Sequence, residues 1–302
     1  MARQSKLTTI PPDIYHQLLS IFPNFRELKI VILTYRCFHD AFKARRKILL
    51  RDVAQNLLGH SFDEAMLLAR EQEAAYGRGA PPTEDFSTKI VSLIVTNHYV
   101  LRSLERVVVR LLKRDKDIDI YEAGMWVRLP SGDTSPAESS RYMTAGYRFW
   151  RFSLQRQKEH AVFLKNLTRS QLLELNHFVT GLRDLVDAMG GHPPESDHDK
   201  DFISGVLSSG PQSILNIWEA FVSGDEYFDE AFGIAGDCDG EGFFSYAYMD
   251  AIDRKGLHRI CALDALEPIF DGDNEKMHKL LKKAAKERKK AAAKKKEHSV
   301  HS

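Results

Sequence analysis

The fold is decided by residues 10–59, IPPDIYHQLLSIFPNFRELKIVILTYRCFHDAFKARRKILLRDVAQNLLG. Pro11 and Pro12 suit the first turn of a helix, where amide hydrogens need no intrahelical partner. Asp13 adds a negative charge that is favourable at a helix start. Pro23 ends this first helix, and Asn24 with Glu27 forms a capping pair for a second. The segment therefore opens as a run of short amphipathic helices.

A third helix is expected to begin near Phe38 and to end at Gly59, because glycine is common just past a helix end. The three helices make a small N-terminal module, residues 7–59. A module of this size buries little apolar surface by itself. We therefore expect it to complete its hydrophobic core on another surface, either of this chain or of a partner.

Helical periodicity continues through residues 60–275, which we expect to form an irregular helical domain. Apolar residues recur three and four apart between Phe86 and Leu111, and further ones on the opposite side, such as Val95, predict a largely buried helix. Ser61 with Glu64 and Thr168 with Gln171 have the spacing of capping boxes. Residues 129–140 read as a loop. Strand and hairpin signals are missing, so the predicted class is all-α.

Composition places the 302-residue chain among ordinary globular proteins. No apolar run reaches the roughly 18 residues of a membrane span, and the N-terminus lacks a secretory pattern. Three widely spaced cysteines favour a reducing compartment, so we expect a cytoplasmic or nuclear protein. Residues 276–302 hold 11 basic and 2 acidic residues, whereas residues 1–275 hold 32 and 40. A strongly basic tail thus follows an acidic body.

The order of residues in 7–59 resembles an F-box of the type common in uncharacterised fungal proteins. The opening Ile10-Pro11-Pro12-Asp13-Ile14 parallels Leu-Pro-x-Glu-Ile, and a paired aliphatic follows. The stretch TYRCFHDAF, residues 34–42, parallels Thr-Cys-Arg-x-Phe-x-x-Ala-Phe, with Tyr35 where cysteine is usual. LLRDV, residues 49–53, also fits the fungal variant, and the tryptophan of many animal and plant F-boxes is absent.

This resemblance implies a non-enzymatic adaptor that joins a protein substrate of unknown identity to the Skp-type linker of a cullin–RING ubiquitin ligase. The apolar residues expected on the docking surface are Pro11, Ile14, Leu18, Leu19, Leu28 and Leu33. The alternative is a helical interaction protein with no link to a ligase, in which these residues pack as internal core against residues 60–275. Exposure of Ile14, Leu18 and Leu19 would favour the adaptor.

Other motifs are weaker. Residues 237–242 resemble half of a calcium loop, but Tyr248 stands where the bidentate glutamate is needed. Two groups lack the spacing of a zinc site, namely Cys238, His258 and Cys261, and His192, His198 and Asp199. Phosphate-loop, dinucleotide-binding and hydrolase signatures are missing as well. We therefore expect no metal, no cofactor and no enzymatic activity.

Two basic features point to other partners. An aromatic cluster lies between Arg141 and Phe152, interleaved with arginines, and either forms core or stacks nucleic-acid bases. Core packing is favoured because the spacing is helical. The tail is a candidate nuclear-import signal through Lys282, Lys283, Arg288, Lys289, Lys290, Lys294, Lys295 and Lys296. A solubilising tail and a nonspecific nucleic-acid contact are the alternatives, the second being the less favoured.

Overall fold

The computed structural model describes residues 10–76, 86–114, 135–190, 205–223 and 251. Of these residues 89% are helical and none lies in a strand, which confirms the all-α class. The helices are α1 (Pro12–Ser20), α2 (Phe25–Thr34), α3 (Arg36–Ala44), α4 (Arg46–Leu58), α5 (Phe62–Tyr76), α6 (Thr88–Arg114), α7 (Pro136–Leu154), α8 (Gln157–Asn166), α9 (Arg169–Gly190) and α10 (Pro211–Ser223). No helix in the described ranges is long and apolar enough to cross a bilayer.

The expectation of three helices in residues 7–59 is wrong in one respect, because the third is divided into α3 and α4. Arg45 interrupts the run with a non-helical backbone, φ −131° and ψ 34°. Neither proline nor glycine marks this break. The two halves pack on different neighbours, since α3 lies mainly against α1 and α2 whereas α4 also contacts α5 and α6. Tertiary packing therefore outweighs the helix propensity of this basic stretch.

Helices α1 and α4 run parallel and are tied at both ends. At their starts, Arg45 Nη2 lies 3.3 Å from Asp13 Oδ1. At their ends, Asn56 Nδ2 donates to the carbonyl oxygens of Ser20, at 2.7 Å, and Phe22, at 3.0 Å. The predicted cap of α2 is confirmed, since the Glu27 amide donates to Asn24 Oδ1 at 2.9 Å. These polar contacts set the orientation of α1 on α4.

The second part of the fold is organised around α7, which packs against α5, α6 and α9. Gly146 lies at the closest approach, because an added Cβ would meet Leu101 Cδ2 at 2.8 Å and Phe178 Cε2 at 3.0 Å. The α6 helix is one-sided rather than largely buried. Val95 and Tyr99 are exposed, on the side of α6 that its neighbours α4, α5, α7, α9 and α10 leave uncovered.

The loop predicted for residues 129–140 is wrong from Pro136 onward, where α7 starts. The helix begins at Pro136 and is preceded by a complete capping box. The Glu138 amide donates to Ser135 Oγ at 3.2 Å, and the Ser135 amide donates to Glu138 Oε2 at 2.7 Å. The predicted box at Thr168 and Gln171 is confirmed by the reciprocal bonds of 2.9 and 3.2 Å. The side chains of Ser61 and Glu64 instead bind residues of α7.

Candidate partner-binding surface

The six residues expected on a docking surface divide into two groups in the structure. Ile14, Leu18 and Leu33 are exposed, at 41%, 40% and 72%, and Pro11 is exposed as well. Leu19 and Leu28 are buried and form part of the hydrophobic core. Leu19 and Leu28 are therefore unavailable to a partner, and the other four remain candidates.

The division follows from helix geometry. Tyr15 and Leu19, four residues apart, share the face of α1 that packs on α3, where the Tyr15 and Phe38 rings meet edge to face at 5.2 Å. Ile14 and Leu18 are each one position earlier, and one residue turns the helix by about 100°. They consequently lie on a neighbouring face that α3 and α4 leave open.

Sequence reasoning missed three further exposed apolar residues on the part of the module that precedes α3. Ile21 continues the Ile14 and Leu18 row on α1, Ile30 precedes Leu33 by one turn of α2, and Tyr35 lies between α2 and α3. The i, i+3 and i+4 spacing was a usable signal for the two isoleucines. We call Ile14, Leu18, Ile21, Ile30, Leu33 and Tyr35 the N-terminal apolar surface.

Tyr35 explains how the module accepts an aromatic residue at this position. Its backbone is extended, with φ −132° and ψ 127°, and it separates α2 from α3. The ring is about half exposed and meets Phe38 at 6.1 Å with a 64° interplanar angle. The bulky side chain therefore needs no additional space in the core.

The module is joined to the rest of the chain through α4. Leu49, Leu50 and Val53 are buried on this helix, which also contacts α5 and α6. Buried residues of the module and of the helices that follow belong to one hydrophobic cluster. Gly59, with φ +52°, ends α4 at the predicted boundary. The division at residue 59 is thus a turn in the chain within a continuous core.

The aromatic cluster of α7 is core, as the sequence spacing favoured. Its five aromatic side chains are buried and so present no open ring face on which bases could stack: Tyr142, Tyr147, Phe149, Trp150 and Phe152. Burial raises the pKa of the Tyr142 hydroxyl well above its ordinary value. The interleaved Arg148 and Arg151 are engaged with carboxylates.

These arginines link three helices. Arg148 Nε donates to Glu64 Oε1 at 2.7 Å and its Nη1 to Glu174 Oε2 at 2.6 Å. Arg151 binds Glu64 at 2.8 Å and Glu71 at 2.8 Å. Burial lowers the pKa of Arg151, but its hydrogen bonds and charge interactions with Glu71 and Glu64 outweigh this and raise it. Glu64 therefore anchors α5 to α7.

A groove of about 570 Å³ lies beside this ionic cluster, between the turn at residue 60 and helices α7 and α9. Its polar lining includes His60, Ser140, Arg141, Thr144 and Glu174. Ser61 Oγ and Thr144 Oγ1 share a hydrogen bond of 2.8 Å beneath it. The lining shows no nucleophile paired with a base, and its charges are opposed by neighbouring carboxylates. The groove can therefore hold a small polar group.

Within the described residues, no three His, Cys, Asp or Glu side chains converge as metal ligands would. Residues 237–242, which resemble half of a calcium loop, and the two His- and Cys-containing groups lie outside those residues, as does the tail with its candidate import residues. In comparisons with known proteins, no family model, curated protein or solved structure matches the chain. The resemblance to an F-box therefore stays a prediction.

Proposed function

We propose that the chain is a non-enzymatic adaptor whose N-terminal module docks on the Skp-type linker of a cullin–RING ubiquitin ligase. The observation that carries the proposal is the N-terminal apolar surface, in which six large side chains of one small module are exposed. Surfaces of this kind mark protein interaction sites. The F-box resemblance of the same residues supplies the class of partner.

Burial of the exposed apolar side chains supplies part of the docking free energy. Burying an aliphatic side chain contributes about 1.5–3 kcal/mol, so complete burial of Ile14, Leu18 and Leu33 supplies about 5–9 kcal/mol. Their partial burial in the free chain reduces this sum, whereas Ile21 and Ile30 add to it. Association costs several kcal/mol, and a micromolar complex needs about 8 kcal/mol net. Apolar burial alone therefore does not reach the micromolar range, and polar and charged contacts with the partner must contribute the remainder.

In this proposal the remaining helices hold a protein substrate. The adaptor would itself catalyse nothing, and would raise the effective concentration of substrate lysines near the charged ubiquitin carrier. The contacts of α1 with α4, at Asp13 and at Ser20, hold the N-terminal apolar surface in place relative to the helices that follow residue 59. A fixed geometry favours productive tethering, because a loosely joined module would place the substrate at random distances. The proposed site of action is the cytoplasm or the nucleus.

A co-purification experiment tests the proposal. The full chain, tagged at its C-terminus, is mixed with purified Skp-type linker, and an established F-box protein serves as the positive control. We expect the linker to be retained by the chain. Absence of the linker under conditions in which the control retains it would contradict the adaptor function.

The second candidate is a helical interaction protein with no link to a ubiquitin ligase. It is favoured by the continuity of the hydrophobic cluster across α4, whereas Leu19 and Leu28 are buried on helices that contact α3 and α4 of the same module. In that case the N-terminal apolar surface binds a different protein. Retention of another purified partner, in a complex lost on substitution of Ile14 and Leu33 while the linker fails to bind, would favour this candidate.

A further inference from the structure

Four basic residues are grouped where α3 meets α4. Lys43, Arg45, Arg46 and Lys47 are all exposed within five consecutive positions. We call them the basic corner. Asp13 contacts Arg45 at 3.3 Å, while Asp40 lies with Arg36 at 3.7 Å. Arg46 Nη2 also donates to Thr88 Oγ1, and Lys47 has an interaction of its own within the chain, so the basic corner is defined by the exposure of its four residues.

The basic corner belongs to a module whose charge is opposite to that of the domain after it. Residues 10–59 contain eight lysines and arginines and four acidic residues. Residues 60–275 contain 22 and 36. A positive surface on a chain with an acidic body creates a directional field, and such fields orient charged partners as they approach.

The basic corner also adjoins the N-terminal apolar surface. Arg45 reaches the first turn of α1 through Asp13, and the next residue is Ile14, the first member of that surface. An apolar centre with a charged margin is the usual anatomy of a protein interface. Contacts with a phosphate backbone need the cations but not the exposed aliphatic residues. The arrangement therefore favours a protein over a nucleic acid.

Resting on the proposed function, we propose that the partner docking on the N-terminal apolar surface carries acidic side chains that face the basic corner. In this arrangement the apolar side chains provide most of the affinity, and the four cations set the association rate. Marginal charges act on the association rate and its salt dependence more than on dissociation.

Binding kinetics of the full chain with immobilised Skp-type linker test the inference at low and high salt. The variant K43Q/R46Q/K47Q removes three charges and leaves the Arg45–Asp13 contact in place. We expect its association rate to fall about tenfold at 50 mM salt, with little change in dissociation. At 500 mM salt the two rates should converge, because the Debye length there is only a few ångström.

The matched control is K158Q/K165Q/R169Q, which removes three exposed charges from α8 and the start of α9. Circular dichroism confirms that both variants fold. An equal effect of both triple variants on association would overturn the inference, since only net charge would then matter. So would a linker association rate that K43Q/R46Q/K47Q leaves unchanged.

Two further probes separate this inference from the adaptor proposal. If the linker fails to bind but a polyglutamate peptide binds wild type and not K43Q/R46Q/K47Q, the adaptor proposal fails and the acidic-partner inference stands. If neither the linker nor the peptide binds, both fail.

Binding of single-stranded RNA that is lost in the variant and exceeds peptide binding would assign the basic corner to nucleic acid and overturn the inference. A salt-sensitive dimer lost in the variant would assign it to the acidic body of a second copy, also overturning it.

Discussion

Asn56, near the end of α4, holds the end of α1 by donating to the carbonyl of Ser20 at 2.7 Å. The same amide nitrogen donates to Phe22 at 3.0 Å. Carbonyls at a helix C-terminus have no partner within the helix, so this side chain satisfies that of Ser20 and also binds the chain just beyond the helix at Phe22. It also holds α1 with the Ile14 and Leu18 face turned away from α4.

We expect N56A to lower the free energy of unfolding by about 1 kcal/mol, because the hydrogen bonds are partly exposed to solvent. Thermal unfolding followed by circular dichroism should show a decrease in Tm of about 2–4 °C. Q55A, on the exposed side of the same helix, is the control and should be nearly neutral. Equal Tm values for N56A and wild type would show that this tie does not hold α1.

Substitution of Arg148 should be more damaging. R148M removes the cation shared by Glu64 and Glu174 and leaves Glu64 paired with Arg151 alone, so we expect a cost of about 3 kcal/mol, at the lower end for a broken buried ion pair. Urea denaturation at pH 7 measures the loss. The control is R106M on the exposed face of α6. A loss below about 1 kcal/mol for R148M would mean that α5, α7 and α9 are held together by apolar packing alone.

Two half-buried histidines, His98 and His177, predict an acid-sensitive fold. Burial and the nearby Arg102 lower the pKa of His98 to about 4, and burial lowers that of His177 to about 4. Unfolded histidine titrates near 6.5. Because the folded values are depressed, both groups stabilise the fold above about pH 6.5, and that stability is lost as the pH falls toward 4.

Between pH 7 and pH 5 each histidine should therefore remove about 2 kcal/mol from the free energy of unfolding. Urea titrations at several pH values measure this slope. H177Q, which cannot titrate, should flatten the dependence, whereas Q55A, which removes no titratable group, should leave it unchanged. A slope unchanged in H177Q would contradict the burial-based pKa.

The basic tail carries the prediction of nuclear import. Deletion of residues 282–296 removes all eight candidate residues of the signal. A fluorescent fusion of the full chain should be enriched in the nucleus, and the deleted form should lose that enrichment. Identical distributions would leave the tail as a solubilising or nucleic-acid-binding segment, and salt-dependent binding to DNA would distinguish the two.

The sequence predicted those features that depend on local spacing. The caps at Asn24 and Thr168 and the buried aromatic residues of α7 each follow from the local spacing of residues along one helix. The row formed by Ile14 and Leu18 could likewise be predicted from the sequence. The prediction did not separate Ile14 and Leu18 from Leu19. Helical periodicity shows which residues share a face, but not which neighbouring helix covers that face.

Features that depend on distant contacts were not predictable. The break at Arg45 arises because α3 and α4 pack on different helices. Glu64 was read as a local capping residue, whereas it reaches Arg148 and Arg151 more than eighty positions away. The exposure of Val95 depends on which side of α6 is covered by α5 and α7. In each case the outcome depends on which distant helix packs against the segment, and the sequence of that segment alone does not show this.

Calorimetric titration of purified Skp-type linker into the full chain tests the central claim most directly. The test variant is I14S/L33S, and the matched control is Y99S/V162S, which removes exposed apolar side chains from α6 and α8. We predict a dissociation constant near the micromolar range for wild type and control, and a weakening of about 100-fold for I14S/L33S. No measurable binding by wild type, or equal affinities of wild type and I14S/L33S, would contradict docking through the N-terminal apolar surface.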